Sequence, residues 1–278
     1  FFFFFQTPAG CIAMKKHPRE WVTACLAHLA FAFLYVPIVA VVVLSFNASE
    51  LTYRCGWFSK KWYSVLANDA QLLDGLRVSA IVGAASATLA TLFGFMAAAA
   101  LAKGEFRGKQ AFMGLVATPL LVPEIVLGVA LLTVFIQAKV NLGFATLSVG
   151  HLVVNLPYAV LILAGAYGTL DPSLSEAGAD LGCSRWQVMR RITIPLMAPA
   201  LMATWLLCFT ISFGNIVIST FTNGVGTTTL PLRVFSMLKT GLTPEINALG
   251  TVLIGFTLLI VLAVGVRQLR DLLVTDRN

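Results

Sequence analysis

SLSEAGADLGCSRWQVMRRITIP, residues 173–195, is a polar island between two long apolar stretches. It holds two capping-box patterns, Ser173-x-x-Glu176 and Ser184-x-x-Gln187. Each offers a hydroxyl and an acceptor side chain where the first turn of a helix has unpaired N–H groups. Gly182 lies between them, where a helix would end in a left-handed residue. The spacing predicts two short helices joined at Gly182 and lying along a membrane surface, with Pro195 and Pro199 leading into the next apolar span. Such a helical knob is shaped to insert into a cleft on a partner.

The rest of the chain explains why the island stands out. Hydrophobic residues make up 58% of the 278 and charged residues 11%, with a mean hydropathy of +0.88. That is more apolar surface than one soluble core of this length buries. A bilayer core about 30 Å thick needs roughly 20 apolar residues per helix. Six segments meet that length, at about 22–46, 78–102, 112–136, 144–168, 199–221 and 246–266. The expected fold is all-α and polytopic, one transmembrane domain over 14–278 with the knob between the fourth and fifth spans.

Six spans place both termini on one side. Twelve Lys and Arg residues fall on that side: Lys15, Lys16, Arg19, Lys103, Arg107, Lys109, Arg185, Arg190, Arg191, Arg267, Arg270 and Arg277. Seven fall on the other: Arg54, Lys60, Lys61, Arg77, Lys139, Arg233 and Lys239. The positive-inside rule therefore puts both termini and the knob in the cytoplasm. The net charge of +7 is explained by such loops meeting anionic lipid head groups, and requires no nucleic acid. Residues 1–13 open with five phenylalanines ahead of Met14-Lys15-Lys16-His17-Pro18, and read as an atypical extension before a natural start at Met14. The five cysteines are scattered, without a C-x-x-C pair, and point to neither a structural zinc site nor an internal disulfide.

The island resembles the loop by which ABC importer permeases grip their ATPase, E-A-A-x-x-x-G followed after nine residues by I-x-L-P. Glu176, Ala177, Gly178, Gly182, Ile192, Ile194 and Pro195 fall on that pattern, with Gly178 and Ile194 as mild departures. From about Phe31 onward the chain resembles the second membrane subunit of spermidine/putrescine-type importers. Matching motifs include Tyr35-Val36-Pro37, Lys61-Trp62-Tyr63-Ser64, Pro123-Glu124-Ile125-Val126, Thr229-Leu230-Pro231-Leu232 and Pro244-Glu245-Ile246-Asn247. The resemblance implies a type I permease in the bacterial inner membrane. Its implied partners are a dimer of ATP-binding subunits, a second and different permease, and an extracytoplasmic binding protein docking on outward segments 47–77 and 222–244. Glu176, Ala177, Gly178, Asp180, Gly182, Trp186, Arg190, Ile192 and Pro195 would couple to the ATPase.

No G-x-x-x-x-G-K-[ST] phosphate loop occurs. The chain is therefore expected to be a translocation subunit and not an enzyme, without catalytic residues, metal or bound cofactor, and with ATP and magnesium on the partner. His17, His28 and His151 are isolated in sequence and read as packing residues. A secondary transporter, the remote alternative, would carry coupling carboxylates in related halves, and no clear internal repeat is visible.

Glu124 is the one acidic residue inside an expected span, where a carboxylate costs about 2.5 to 3.5 kcal/mol unless it meets a polar cavity or partner. Pro119 and Pro123 beside it would kink that helix. Glu124 is thus a candidate pathway residue. Trp62 and Tyr63 are candidates to stack on an incoming organic cation, although interfacial aromatics need no such role. In the fifth span, relatives carry a carboxylate pair where this chain reads Ile211-Ser212-Phe213-Gly214-Asn215-Ile216. Ser212 and Asn215 can exchange hydrogen bonds but cannot neutralise an ammonium group. The resemblance thus implies a small polar solute, a polyamine or related amine, with a less cationic amino acid, monoamine or other metabolite as the alternative.

Overall fold

Small side chains set how closely the central helices approach. Gly83, Ser86, Ala87, Ala90, Gly94 and Ala98 recur every three or four residues along α3 (Ala70–Ala102), and all are buried. This is the small-residue stripe that lets membrane helices pack backbone against backbone. A Cβ built on Gly94 would lie 2.7 Å from the Ala159 Cβ. Glycine is required there by the neighbour in α6 (Phe144–Gly168) and not by backbone strain.

The structure is a computed structural model that describes residues 18–49, 56–102, 106–240 and 244–275. The 1–13 extension, the Met14–His17 flank, Arg54, Cys55, Lys103, Arg277 and the stretches 50–55 and 241–243 of the segments expected to face outward lie outside them. The described residues form helices throughout, with a single isolated β-bridge between Asn47 and Phe58. Contacts divide the chain into two compact units, one taking residues up to Ser64 and from Thr243 on, the other Val65–Leu242.

In the first unit, α1 (Pro18–Leu44) packs on α12 (Pro244–Thr275), where Gly250 faces Val41. The short α2 (Lys61–Asn68) begins there. In the second unit α3, α6 and α9 (Ile194–Gly214) contact one another. Ala87, Ala90, Ala159 and Cys208 form one buried cluster between them, and Ala98, Leu163 and Met197 another. Around these three helices lie α4 (Lys109–Leu121), α5 (Glu124–Gln137), α10 (Val217–Thr222) and α11 (Leu230–Thr240).

Among the described residues, four helices are long and apolar enough to cross a membrane: Cys25–Leu44, Ala70–Ala102, Phe144–Gly168 and Arg185–Gly214. The expected third span is not one kinked helix. It is α4 and α5, bent by 108° at Val122-Pro123, and would make a fifth span if the pair crosses as one. Val122 is extended, as the residue before a proline tends to be, and Pro123 has no N–H to continue the ladder. The expected fifth span, 199–221, is also redrawn. Its helix starts well upstream, ends at Gly214, and resumes as α10 after an extended Asn215. The expected sixth falls in α12, in which Pro244–Leu259 is a shorter apolar helix. Among the described residues of the segments expected to face outward, 47–77 holds α2 and the first turns of α3, and 222–244 holds α11.

Candidate functional site

The polar island folds as the knob expected of it, with two corrections. Its first helix, α7 (Pro172–Asp180), is capped by Asp171, whose carboxylate accepts from the Ser173 N–H at 2.9 Å, and not by Ser173. Pro172 takes the first helical position, where its missing N–H costs nothing. The helix closes as the sequence predicts. Gly182 has φ +81°, its N–H bonds the Ala179 carbonyl at 2.9 Å, and Cys183 N–H bonds Gly178 at 3.0 Å. These two bonds are the Schellman pattern that a left-handed glycine permits. The second capping box is also present, with Ser184 and Gln187 bonded reciprocally.

The second correction lies just downstream of that box. The second helix is not a separate element, because α8 (Arg185–Val188) runs through a π-helical turn, Met189–Thr193, directly into α9. In that turn the Ile194 N–H reaches back to the Met189 carbonyl. The extra residue absorbs Pro195, which lacks the donor for an ordinary turn. The result is one helix from Arg185 to Gly214.

Gly178 is buried against that helix, and a Cβ there would sit 2.9 Å from Ile192 Cδ1 and 3.2 Å from Val188 Cγ2. The departure from Ala at this position thus lets α7 seat closely on Ile192. Glu176, Ala177, Asp180, Gly182, Arg190 and Pro195 are exposed. Leu181 and Trp186 stand out at 84% and 68% exposure. The knob presents an exposed tip that is both apolar and charged.

At the far end of the same helix the two breaks meet. Glu124 is the first residue of α5, where a carboxylate faces the positive end of the helix. Asn215 sits in the gap between α9 and α10, and its side-chain amide donates to Glu124 Oε1. Its Oδ1 accepts the Ile218 N–H at 2.8 Å, and its carbonyl accepts the Ser219 hydroxyl at 2.7 Å. Together with Pro119, Tyr158, Thr210 and Gly214 the pair lines a cleft of about 610 Å³. An ionised Asp at 215 would accept from Ile218 as well as Asn does, but could not donate to Glu124 and would repel it.

The other expected pathway residues are engaged elsewhere. Ser212 is buried behind the cleft, 2.6 Å from His151 Nδ1 and 3.0 Å from Ser86 Oγ. His151 is therefore not isolated, since its Nε2 also meets Ser219 at 3.1 Å. Sequence reading misses this because the partners stand 61 and 68 residues away. The available signal was the presence of Ser86, His151, Asn155, Ser212 and Ser219 in apolar helices, where unpaired polar groups are costly.

Trp62 and Tyr63 belong to the first unit and turn inward. The Trp62 indole, 8% exposed, donates to the Asn47 carbonyl at 2.7 Å and carries Lys61 Nζ over its ring at 4.9 Å. Tyr63 bonds Ser45 at 2.7 Å and packs on the Phe46 ring. Both anchor the segment after α1 and leave no open ring face on Trp62 for a ligand cation.

A family model described as binding-protein-dependent transport system inner membrane component matches residues 90–276. The spermidine/putrescine transport system permease protein PotC of Haemophilus influenzae is 40% identical over 87% of this chain and 95% of its own. PotC of Escherichia coli K12 is 38% identical over 84% and 88%. The putrescine transport system permease protein PotI of the same strain is 37% identical over 82% and 83%. Among solved structures, a bacterial ABC transporter involved in the import of the acidic polysaccharide alginate aligns with a TM-score of 0.69, covering 94% of this chain and 99% of that one. At 14% identity that likeness speaks for the fold.

Proposed function

The chain belongs to the binding-protein-dependent transport system inner membrane components, and from that premise we propose that it is the translocation subunit of an ATP-driven polyamine importer. One observation carries the mechanism. The Arg185–Gly214 helix is continuous from the knob to the cleft, about 45 Å at 1.5 Å per residue. A partner that displaces Trp186, in the first turn of that helix, displaces the Gly214–Asn215 break at its other end. ATP binding and hydrolysis, with magnesium, belong to a dimer of ATPase subunits that receives the knob. This chain contributes no catalytic residue.

The remaining assembly follows from the same reading. A second, different permease completes the pathway, lipid covers the apolar outer faces, and both termini are cytoplasmic. An extracytoplasmic binding protein docks on the outward segments, where Trp57 and Val225 are exposed. Glu124 receives the cargo. Its carboxylate has about four acceptor sites, of which Asn215 fills one, leaving capacity for an ammonium group in the cleft. The names of the relatives support putrescine or spermidine as that cargo. Asn215 supports the second reading, a less cationic amine, because a single carboxylate neutralises a single positive charge.

The test is uptake of labelled putrescine and spermidine by cells carrying the complete assembly, wild type beside Glu124→Gln, with monoamines and amino acids as competitors. Polyamine uptake that is lost in the variant supports the first reading. Uptake of monoamines alone supports the second, and a chain that never co-purifies with an ATPase subunit removes both.

A further inference from the structure

His151 holds the two sides of the α9–α10 break. Its Nδ1 lies 2.6 Å from Ser212 Oγ, in the last turn of α9, and its Nε2 lies 3.1 Å from Ser219 Oγ, in α10. Between those serines lie Gly214 and Asn215, the stretch that lines the cleft. The imidazole is 2% exposed, so these contacts are made away from the cargo.

The hydrogen bonds run in one direction. The Ser219 hydroxyl donates its single proton to the Asn215 carbonyl at 2.7 Å, so Nε2 must be the donor toward Ser219. A neutral imidazole then has a bare Nδ1, which accepts the Ser212 hydroxyl proton. Ser212 in turn accepts from Ser86 of α3 at 3.0 Å. The chain Ser86, Ser212, His151, Ser219 and Asn215 carries orientation from the buried bundle to the residue whose amide binds Glu124.

We propose that His151 is the positioning residue of the cargo cleft, fixing Asn215 and through it Glu124 by bridging the helix break with a neutral, Nε2-protonated imidazole. The inference rests on the reading of that cleft as the translocation site. It requires of position 151 an acceptor toward Ser212 and a donor toward Ser219. Glutamine supplies both and phenylalanine neither.

Two measurements on the complete assembly test it, on wild type, His151→Phe, His151→Gln, Ser219→Ala and the Phe/Ala double variant. The first is putrescine uptake normalised to assembled complex. His151→Phe should raise KM about three- to tenfold, the equivalent of one neutral hydrogen bond. Vmax and assembly should change far less, His151→Gln should restore most of the KM, and the double variant should be no worse than His151→Phe. The second needs no cargo. Gly214 has open space where a Cβ would stand, so Gly214→Cys can be labelled with a small water-soluble maleimide and its rate read by peptide mass. His151→Phe and Ser219→Ala should shift that rate alike, and His151→Gln should leave it near wild type. If wild type carries no putrescine, the polyamine reading fails and the labelling arm still decides the positioning role. An unchanged labelling rate in His151→Phe, additive KM effects in the double variant, or loss of assembly with KM unaltered would each overturn the proposal.

Discussion

The side-chain amide of Asn215 donates to the carboxylate of Glu124 across 91 residues of sequence, and each of the two stands at a break in a helix. Breaks free backbone groups inside a membrane protein only where they line a cavity or are buried in protein. Here both breaks line the cleft, the Val122–Glu124 break on one wall and the Gly214–Asn215 break on the other.

Asn215→Asp places a second carboxylate beside Glu124. Two unit charges 4 Å apart are worth about 4 kcal/mol at an effective dielectric of 20, and a dication relieves that repulsion better than a monocation. Competition by putrescine relative to a monoamine should improve about tenfold, a shift of about 1.4 kcal/mol. Equal competition before and after the substitution counts against direct contact between cargo and Glu124.

Gly182→Asp and Glu176→Lys should leave membrane insertion intact and abolish transport-coupled ATP hydrolysis. Gly182→Ala separates backbone strain from charge, since φ of +81° costs a residue with a Cβ about 1–2 kcal/mol. It should weaken coupling partially. ATPase rates of the assembly with and without loaded binding protein measure all three, and wild-type coupling in the first two removes the role assigned to the knob.

Asp171 lies outside the apolar spans, and the Ser173 backbone N–H, followed by its hydroxyl, holds the Asp171 carboxyl below its ordinary value of 3.8. A depressed folded-state pKa means that the cap contributes in full above that value and is lost as pH falls through the lower, folded one. Amide exchange of α7 should accelerate over that acid window in wild type. In Asp171→Ser, which caps without titrating, the acid-dependent part should vanish.

Gly94→Val forces a side chain into the backbone of Ala159, whose carbonyl carbon lies 2.9 Å from where a Cβ would stand. Overpacking of this kind costs about 1–3 kcal/mol. A lower unfolding temperature of the purified chain in detergent checks it. Gly165→Ala, at a position with nothing near, is the control.

Trp62→Phe removes the indole hydrogen bond to the Asn47 carbonyl, a loss of about 0.5–1.5 kcal/mol. Stability should fall while the KM for amines stays at the wild-type value. A raised KM at unchanged stability would return Trp62 to the pathway.

The features read correctly from the chain are those whose causes act within a few residues. Apolar runs marked most of the long helices, the left-handed Gly182 ended α7, and Ser184 and Gln187 capped each other. Errors arose where two local signals competed. Asp171-Pro172 offers a better cap than Ser173, because its proline already suits the first helical position. Val122-Pro123 broke a helix that the apolar run alone would have carried through, and Pro195 was absorbed by a π turn instead of separating two helices.

Sequence by itself determined that this is an all-helical membrane protein with a capped, glycine-closed knob, because hydropathy, capping and proline geometry are properties of neighbouring residues. The tertiary structure alone decided that Glu124 pairs with Asn215, that His151 bridges Ser212 and Ser219, and that Trp62 turns inward to Asn47. Those pairings depend on which helix faces come together once small residues let the backbones close. A polar group in an apolar helix announces that it needs a partner, and only packing selects which one.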